Sequence, residues 1–133
     1  MTLNEDFRRE WEPGAAPLER RIASLRRLAE SGARTWVSIE PYPTPNIDPS
    51  AADIVPLLEA VSFVDEVVFG KMNYIPEATR YANAHPDYYA GISLDVIRWC
   101  ETKGKKLTVK KGTPHAGSYP QARSAISMSG GRA

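Results

Sequence analysis

Trp36-Val37-Ser38-Ile39-Glu40-Pro41-Tyr42-Pro43-Thr44-Pro45-Asn46 runs a short apolar strand directly into a carboxylate and then into a polar loop studded with prolines. Pro41, Pro43 and Pro45 each fix φ and lack a backbone donor, so the chain after Glu40 is expected to be an extended, stiff loop that continues neither a strand nor a helix. A stiff loop loses little entropy when it closes on a ligand, and the junction reads as a ligand-facing rim.

Upstream of this strand, Pro17 to Ser31 places Leu18, Ile22, Leu25, Leu28 and Ala29 at helical spacing, with Pro17 suited to the first turn and Gly32 just past the end. Arg20, Arg21, Arg26 and Arg27 crowd the outer face, where Glu19 and Glu30 can pair with some of them, the pattern of a solvated surface. Downstream, Asp48-Pro49-Ser50 and Asp53 signal a helix start before Ile54, Leu57, Leu58 and Val61. Pro56 there either kinks this helix or marks the first turn of a shorter one. Glu66 to Phe69 forms the next strand, its Val67-Val68-Phe69 run suited to burial on both faces, and Gly70 ends it. A second polar loop, Lys71-Met72-Asn73-Tyr74, leads into a stretch from Pro76 to Pro86 with a helical turn or two. Asp87 can cap a long helix that carries Tyr88, Ile92, Val96, Trp99 and Cys100 near one face and stops at Gly104. Leu107 to Val109 makes a third strand.

Helices alternating with strands are the pattern of parallel βαβ crossovers, so the fold class is α/β. Three strands and three helices are too few for a closed parallel barrel, and the first helix follows no complete strand of its own. The chain therefore reads as a piece of something larger. Residues 1–111 form one unit, and residues 112–133, dominated by Gly, Ser, Pro and Ala without apolar periodicity, read as a flexible tail.

At 133 residues, with 42% hydrophobic and 25% charged side chains, the composition is that of one soluble globular domain. No apolar run approaches the roughly 18–20 residues needed to span a bilayer, and the acidic stretch Met1 to Asp6 lacks a signal-peptide core, so a cytoplasmic location and no membrane partner are expected. The single cysteine, Cys100, excludes an internal disulfide and an all-cysteine metal site supplied by this chain alone; beside Trp99 it reads as a small buried hydrophobe. His85 and His115 lie in loop contexts without metal-ligand spacing, and no Gly-rich phosphate loop follows a strand. The net charge of +1 hides an asymmetry: residues 1–100 carry 10 Lys and Arg against 15 Asp and Glu, while residues 101–133 carry 7 against Glu101 alone. Lys103, Lys105, Lys106, Lys110 and Lys111 either approach phosphate, as in nucleic acid, or guard the ends of a solvated edge strand.

Ligands of parallel α/β sheets bind beyond the carboxyl ends of the strands, so Glu40 and Lys71 are expected to point to one side. Together they either grip the ammonium and carboxylate of a small molecule such as an amino acid or form a structural salt bridge. Asn46 and Asn73 add amides, and Tyr42 and Tyr74 add flat rings with a polar tip.

Trp11-Glu12-Pro13-Gly14-Ala15-Ala16-Pro17, the helix ending at Gly32, the phrase from Thr35 to Asn46, and Val68-Phe69-Gly70-Lys71-Met72-Asn73-Tyr74 together resemble the second half of radical S-adenosylmethionine proteins related to spore photoproduct lyase, the DNA repair photolyase-related family. The resemblance covers about residues 1–111. It implies the carboxyl-terminal half of a partial (β/α)6 barrel, in which a 4Fe–4S cluster sits on a Cys-x-x-x-Cys-x-x-Cys loop after the first strand and S-adenosylmethionine lies along the strand ends. By position it makes Asn4, Glu40, Lys71 and Asn73 the candidate S-adenosylmethionine contacts, with no catalytic residue assigned. The chain departs from the family in lacking the three-cysteine loop, and a cluster needs thiolate ligands before it can reduce the sulfonium. The resemblance thus implies a fragment that is inactive alone and partnered by an amino-terminal half carrying the cysteines. The alternative is a cluster-free module that binds a small molecule or nucleic acid.

Overall fold

Val67 and Phe69 alternate with Val68 along a strand, and that two-residue period sets which side chains meet across the sheet. The computed structural model describes residues 1–115; residues 116–133, which hold most of the expected tail, lie outside the described residues. β1 (Trp36–Tyr42), β2 (Glu66–Lys71) and β3 (Lys106–Val109) form one parallel sheet in the order β1-β2-β3. The register aligns Val37 with Val67 and Leu107, and Ile39 with Phe69 and Val109. These rows form the core face: Ile39, Val67, Phe69 and Val109 are all fully buried. The register row Ser38, Val68 and Thr108 faces the other way, and Val68 is only partly buried there.

Helices supply the rest of the core. α2 (Leu18–Glu30) precedes β1, α3 (Val55–Ala60) links β1 to β2, and α4 (Pro76–Ala84) and α5 (Tyr88–Lys103) link β2 to β3. Leu57 and Leu58 of α3 and Ile92, Val96, Ile97 and Cys100 of α5 join the sheet's inner rows in one cluster, against which Ile22 and Leu25 of α2 pack part-buried. A smaller cluster joins Phe7 of α1 (Glu5–Trp11) to Met72 and to Ala78 of α4.

Local chemistry explains most boundaries. Asn4 caps α1 by accepting from the Asp6 amide at 3.0 Å, and Glu5 reaches forward to accept from the Leu18 amide at 3.0 Å, serving an α2 terminus whose own N-cap, Pro17, has no capping side chain. Pro56 lies in the first turn of the short α3, where a missing N–H costs nothing, and the residues before it form a separate 3-10 turn, Pro49–Ala52, capped by Asp48. Gly104 ends α5 in the left-handed region at φ 69°. Asp87 precedes α5 as expected but contributes no side-chain cap.

β1 departs from the sequence expectation. Instead of stopping before the prolines it continues through Pro41 to Tyr42, with the register slipping between Ile39 and Tyr42; the Glu40–Pro41 peptide is cis. A bulge absorbs the donor that Pro41 lacks. The strand is drawn onward by Tyr42, whose side chain is buried, whose carbonyl accepts from the Met72 amide at 3.2 Å and whose hydroxyl donates to the Ala51 carbonyl at 3.2 Å. Among the described residues no helix is long and apolar enough to cross a membrane.

The Tyr89 hydroxyl lies at the centre of this junction, donating to the Tyr42 carbonyl at 2.6 Å and accepting from the Met72 amide at 3.1 Å. Burial pushes its phenol up to about 12, which keeps it protonated as a donor. Replacing it with phenylalanine leaves a buried carbonyl short of a partner, so Tyr89→Phe is expected to lower stability by about 1–2 kcal/mol in urea unfolding. An unchanged midpoint would contradict this role.

Candidate functional site

Glu40 and Lys110 flank Gly70 at the carboxyl end of the sheet. The Lys110 amide donates to the Phe69 carbonyl at 2.8 Å, extending the ladder one residue past β3, and Lys110 Nζ lies 3.8 Å from Glu40 Oε1. Only a residue without a side chain fits beneath them: a Cβ at Gly70 would fall 2.8 Å from Glu40 Cγ and 3.0 Å from Lys110 Cγ. The carboxylate and the ammonium are each about one-third exposed, so both reach solvent as well as one another.

The expected partnership of Glu40 with Lys71 is therefore corrected. Gly70 shares the face of Glu40, and successive residues of a strand point to opposite faces, so Lys71 is turned away from it. Among the described residues Lys71 forms no ion pair; its backbone amide donates to Thr113 Oγ1 at 3.1 Å. Thr113 is buried, and Ser93 Oγ donates to the Pro114 carbonyl at 2.6 Å, so the chain stays tied to the sheet through Pro114, past the expected start of the tail at residue 112.

The remaining candidates separate. Asn4 is not free at the rim: its Oδ1 caps α1 and its Nδ2 donates to Asp48 Oδ1 at 3.0 Å. Asn46 is likewise committed, accepting from Thr44 Oγ1 and donating to the Glu77 carbonyl at 3.1 Å. Asn73 is exposed, and beside it Tyr74 is 98% exposed in a left-handed backbone with φ 65°, a conformation uncommon for a residue with a side chain. The proline loop is anchored from below: Tyr88 donates to the Pro43 and Ala51 carbonyls at 2.9 and 2.8 Å. Burial raises both the Tyr42 and Tyr88 phenols above their ordinary range, keeping these donors neutral.

At the outer side of β1 the Met1 ammonium donates to the Pro41 carbonyl at 3.3 Å and pairs with Glu12 at 3.2 Å, while Glu12 also holds Arg21 at 3.0 Å. Burial lowers the ammonium's pKa, opposed by the Glu12 carboxylate. Asp48 is fully buried beneath the same corner; burial acts to raise its pKa, but hydrogen bonds from Thr2, Asn4 and Ser50 outweigh it and hold the carboxyl below its ordinary 3.8.

The described residues do not fit an iron–sulfur cluster. Cys100 is fully buried in α5, its thiol pushed up to about 12 by burial, and no group of three or more His, Cys, Asp or Glu is placed to hold a metal among the described residues. His85 stacks on Tyr81 with ring centroids 4.0 Å apart. Lys110 and Gly70 are the site residues that sequence reasoning missed. In the sequence Lys110 stands among the lysines of the basic end, and Gly70 reads as a strand terminator and, by the resemblance, as part of a Gly70-Lys71 turn beside the pocket, with no sign of the close approach it permits. Comparison with family models, with curated proteins and with solved structures found no match to this chain.

Two outcomes are expected. Glu40 and Lys110 should couple by about 0.2–1 kcal/mol in a double-mutant cycle with Glu40→Gln and Lys110→Met, and Gly70→Ala should abolish the coupling by forcing the side chains apart. A coupling that survives Gly70→Ala would refute the geometry. For Asp48, the depressed folded pKa means that its contribution to stability is complete above about 4 and is lost as pH falls through the folded value. Stability measured from pH 5 to about 2 should therefore fall less steeply in Asp48→Asn than in the parent chain.

Proposed function

We propose that this chain supplies one wall of an S-adenosylmethionine pocket in a radical S-adenosylmethionine protein related to spore photoproduct lyase, as the carboxyl-terminal part of a partial (β/α)6 barrel, and that it is inactive alone. The observation that carries the reading is the Glu40–Lys110 pair, held over Gly70 at the carboxyl end of a parallel sheet and on the face away from the core. Parallel sheets present their ligand sites at this end. A carboxylate and an ammonium side by side complement the ammonium and carboxylate of the ligand's amino-acid end. The exposed Tyr74 ring, in the turn after β2, offers a flat surface for a base. In this reading Glu40 and Lys110 bind and orient the ligand. Electron delivery falls to a cysteine-bearing partner, because the described residues do not fit a cluster.

The competing reading, a cluster-free module for a small molecule or nucleic acid, draws on the lysines around β3. Two of these are already engaged: Lys103 lies 3.9 Å from Glu59 and Lys110 pairs with Glu40.

Titration calorimetry with S-adenosylmethionine is expected to show binding that weakens about tenfold, near 1.4 kcal/mol, in both Glu40→Gln and Lys110→Met. Absence of binding at millimolar ligand would overturn the reading. Anaerobic reconstitution with iron and sulfide is expected to give no stoichiometric cluster absorbance, and a stable cluster with reductive cleavage of the ligand would refute inactivity alone. Nucleic-acid binding that falls steeply with salt, without a response to S-adenosylmethionine, would favour the competing reading.

A further inference from the structure

Prolines divide the chain between β1 and α3. Pro49 opens the 3-10 turn Pro49–Ala52, and Pro56, which has no N–H to bond back into a preceding turn, starts α3 afresh instead of continuing it. Asp53, extended at φ −137° and ψ 112°, joins the two segments. A cavity of about 280 Å³ is left at this joint, just under the ~300 Å³ at which ligand pockets commonly begin. Thr2, Tyr42 and Leu57, all buried, line it together with the exposed Leu3, Ala52 and Pro56.

Charge around the cavity is of one sign. Asp53 lines it and is exposed; its Oδ1 accepts from the Val55 amide at 3.0 Å, which leaves Oδ2 open to a ligand. Asp48 stands one residue behind the wall, because Thr2 and Ser50, which both line the cavity, both hydrogen-bond to its buried carboxylate. The Met1 ammonium acts on Asp48 but is itself matched by Glu12 at 3.2 Å. The Tyr42 phenol registers the field: burial raises its pKa, and the carboxylates of Asp48, Asp53 and Asp95 add to the rise. No lysine, arginine or histidine is among the described residues that line the cavity.

Apolar walls beside a solvent-reachable carboxylate select a cation with a hydrocarbon body. An anion is repelled, and a neutral apolar molecule gains nothing from Asp53. An ammonium gains a charge-assisted hydrogen bond, roughly twice as strong as a neutral one. Its hydrocarbon part meanwhile displaces water from Tyr42 and Leu57. A bare metal ion is not served, since no three His, Cys, Asp or Glu converge there among the described residues.

We propose that this cavity is a binding site for a small organic ammonium ion, a primary amine on a compact apolar body, with Asp53 taking the ammonium and Tyr42 and Leu57 receiving the body. The site is separate from the charge pair at the end of the sheet: none of Glu40, Gly70 and Lys110 lines it. It does not rest on the S-adenosylmethionine reading.

The test uses the full chain with benzylammonium as probe and benzyl alcohol and benzoate as its neutral and anionic counterparts, read by the NMR shifts of Leu3, Ala52 and Leu57. Benzylammonium is expected to shift these signals saturably with a Kd of about 1 mM. Benzyl alcohol should bind about tenfold more weakly, and benzoate should leave the signals unmoved. Asp53→Asn should weaken benzylammonium about tenfold while the unfolding midpoint stays near that of the parent, because an asparagine oxygen still accepts from the Val55 amide. Equal affinity for benzyl alcohol, unchanged affinity in Asp53→Asn, or no saturable shift at about 10 mM probe would each overturn the proposal. Displacement of the probe by S-adenosylmethionine would overturn it too, by merging the cavity with the Glu40–Lys110 site. Failure of S-adenosylmethionine to bind at all leaves the amine result standing, and a silent cavity leaves the pocket over Gly70.

Discussion

Parallel pairing on both sides of β2 is the constraint from which the rest of the molecule follows. Parallel neighbours cannot be joined by a tight turn, so each link must leave the carboxyl end of one strand and return to the amino end of the next. The return journeys become α3 in one case and α4 with α5 in the other. Their apolar faces seal the rows Val37–Val67–Leu107 and Ile39–Phe69–Val109. Carboxyl ends are thereby gathered at one end of the sheet, and residues from three distant parts of the chain, Glu40, Gly70 and Lys110, come together there.

Two kinds of polar contact meet at this end, and their energetics differ. The Tyr89 hydroxyl and its backbone partners are buried, where an unmet donor or acceptor costs free energy of order 1–3 kcal/mol. They hold the proline loop and the turn after β2 in fixed relation. The Glu40–Lys110 pair is partly solvated and contributes at most about 1 kcal/mol to stability. Its importance lies in placement: two opposite charges stand fixed over a glycine with faces still open to solvent.

Pro41 shows how tertiary context can override a local rule. Read in isolation, Pro-Tyr-Pro-Thr-Pro ends a strand because each ring removes a ladder donor. In the fold, burial of Tyr42 and the hydrogen bonds to its carbonyl carry the strand past Pro41 by means of a register slip. The outward Pro41 carbonyl then becomes the seat of the Met1 ammonium, so the bulge shapes the sheet's edge as well as its rim.

Element type was legible wherever periodicity was strong. The helix after Pro17, the helix ending at Gly104 and the strands β2 and β3 lie close to their expected spans, because apolar spacing and stop signals are local properties, whereas β1 runs past its expected end. α1 is hard to read from sequence because seven residues with only Phe7 and Trp11 apolar carry too little periodicity; it is held by burial of Phe7 against Met72 and Ala78, with the Asn4 cap and the Glu5–Arg8 pair at 2.9 Å adding to it. Glu40 and the rim's end of the sheet were legible from the strand-to-loop junction, whereas its partner was not. Which cation meets Glu40 depends on the parity of Gly70 and Lys71 along β2 and on the ladder placing Lys110 across from it, relations that exist only once three strands are in register. Sequence alone determined the α/β class and the apolar core positions, since these follow from local spacing and backbone chemistry. Tertiary structure decided the strand order, the charge pair over Gly70 and the cavity beside Tyr42, since each is a relation between segments that local chemistry does not encode.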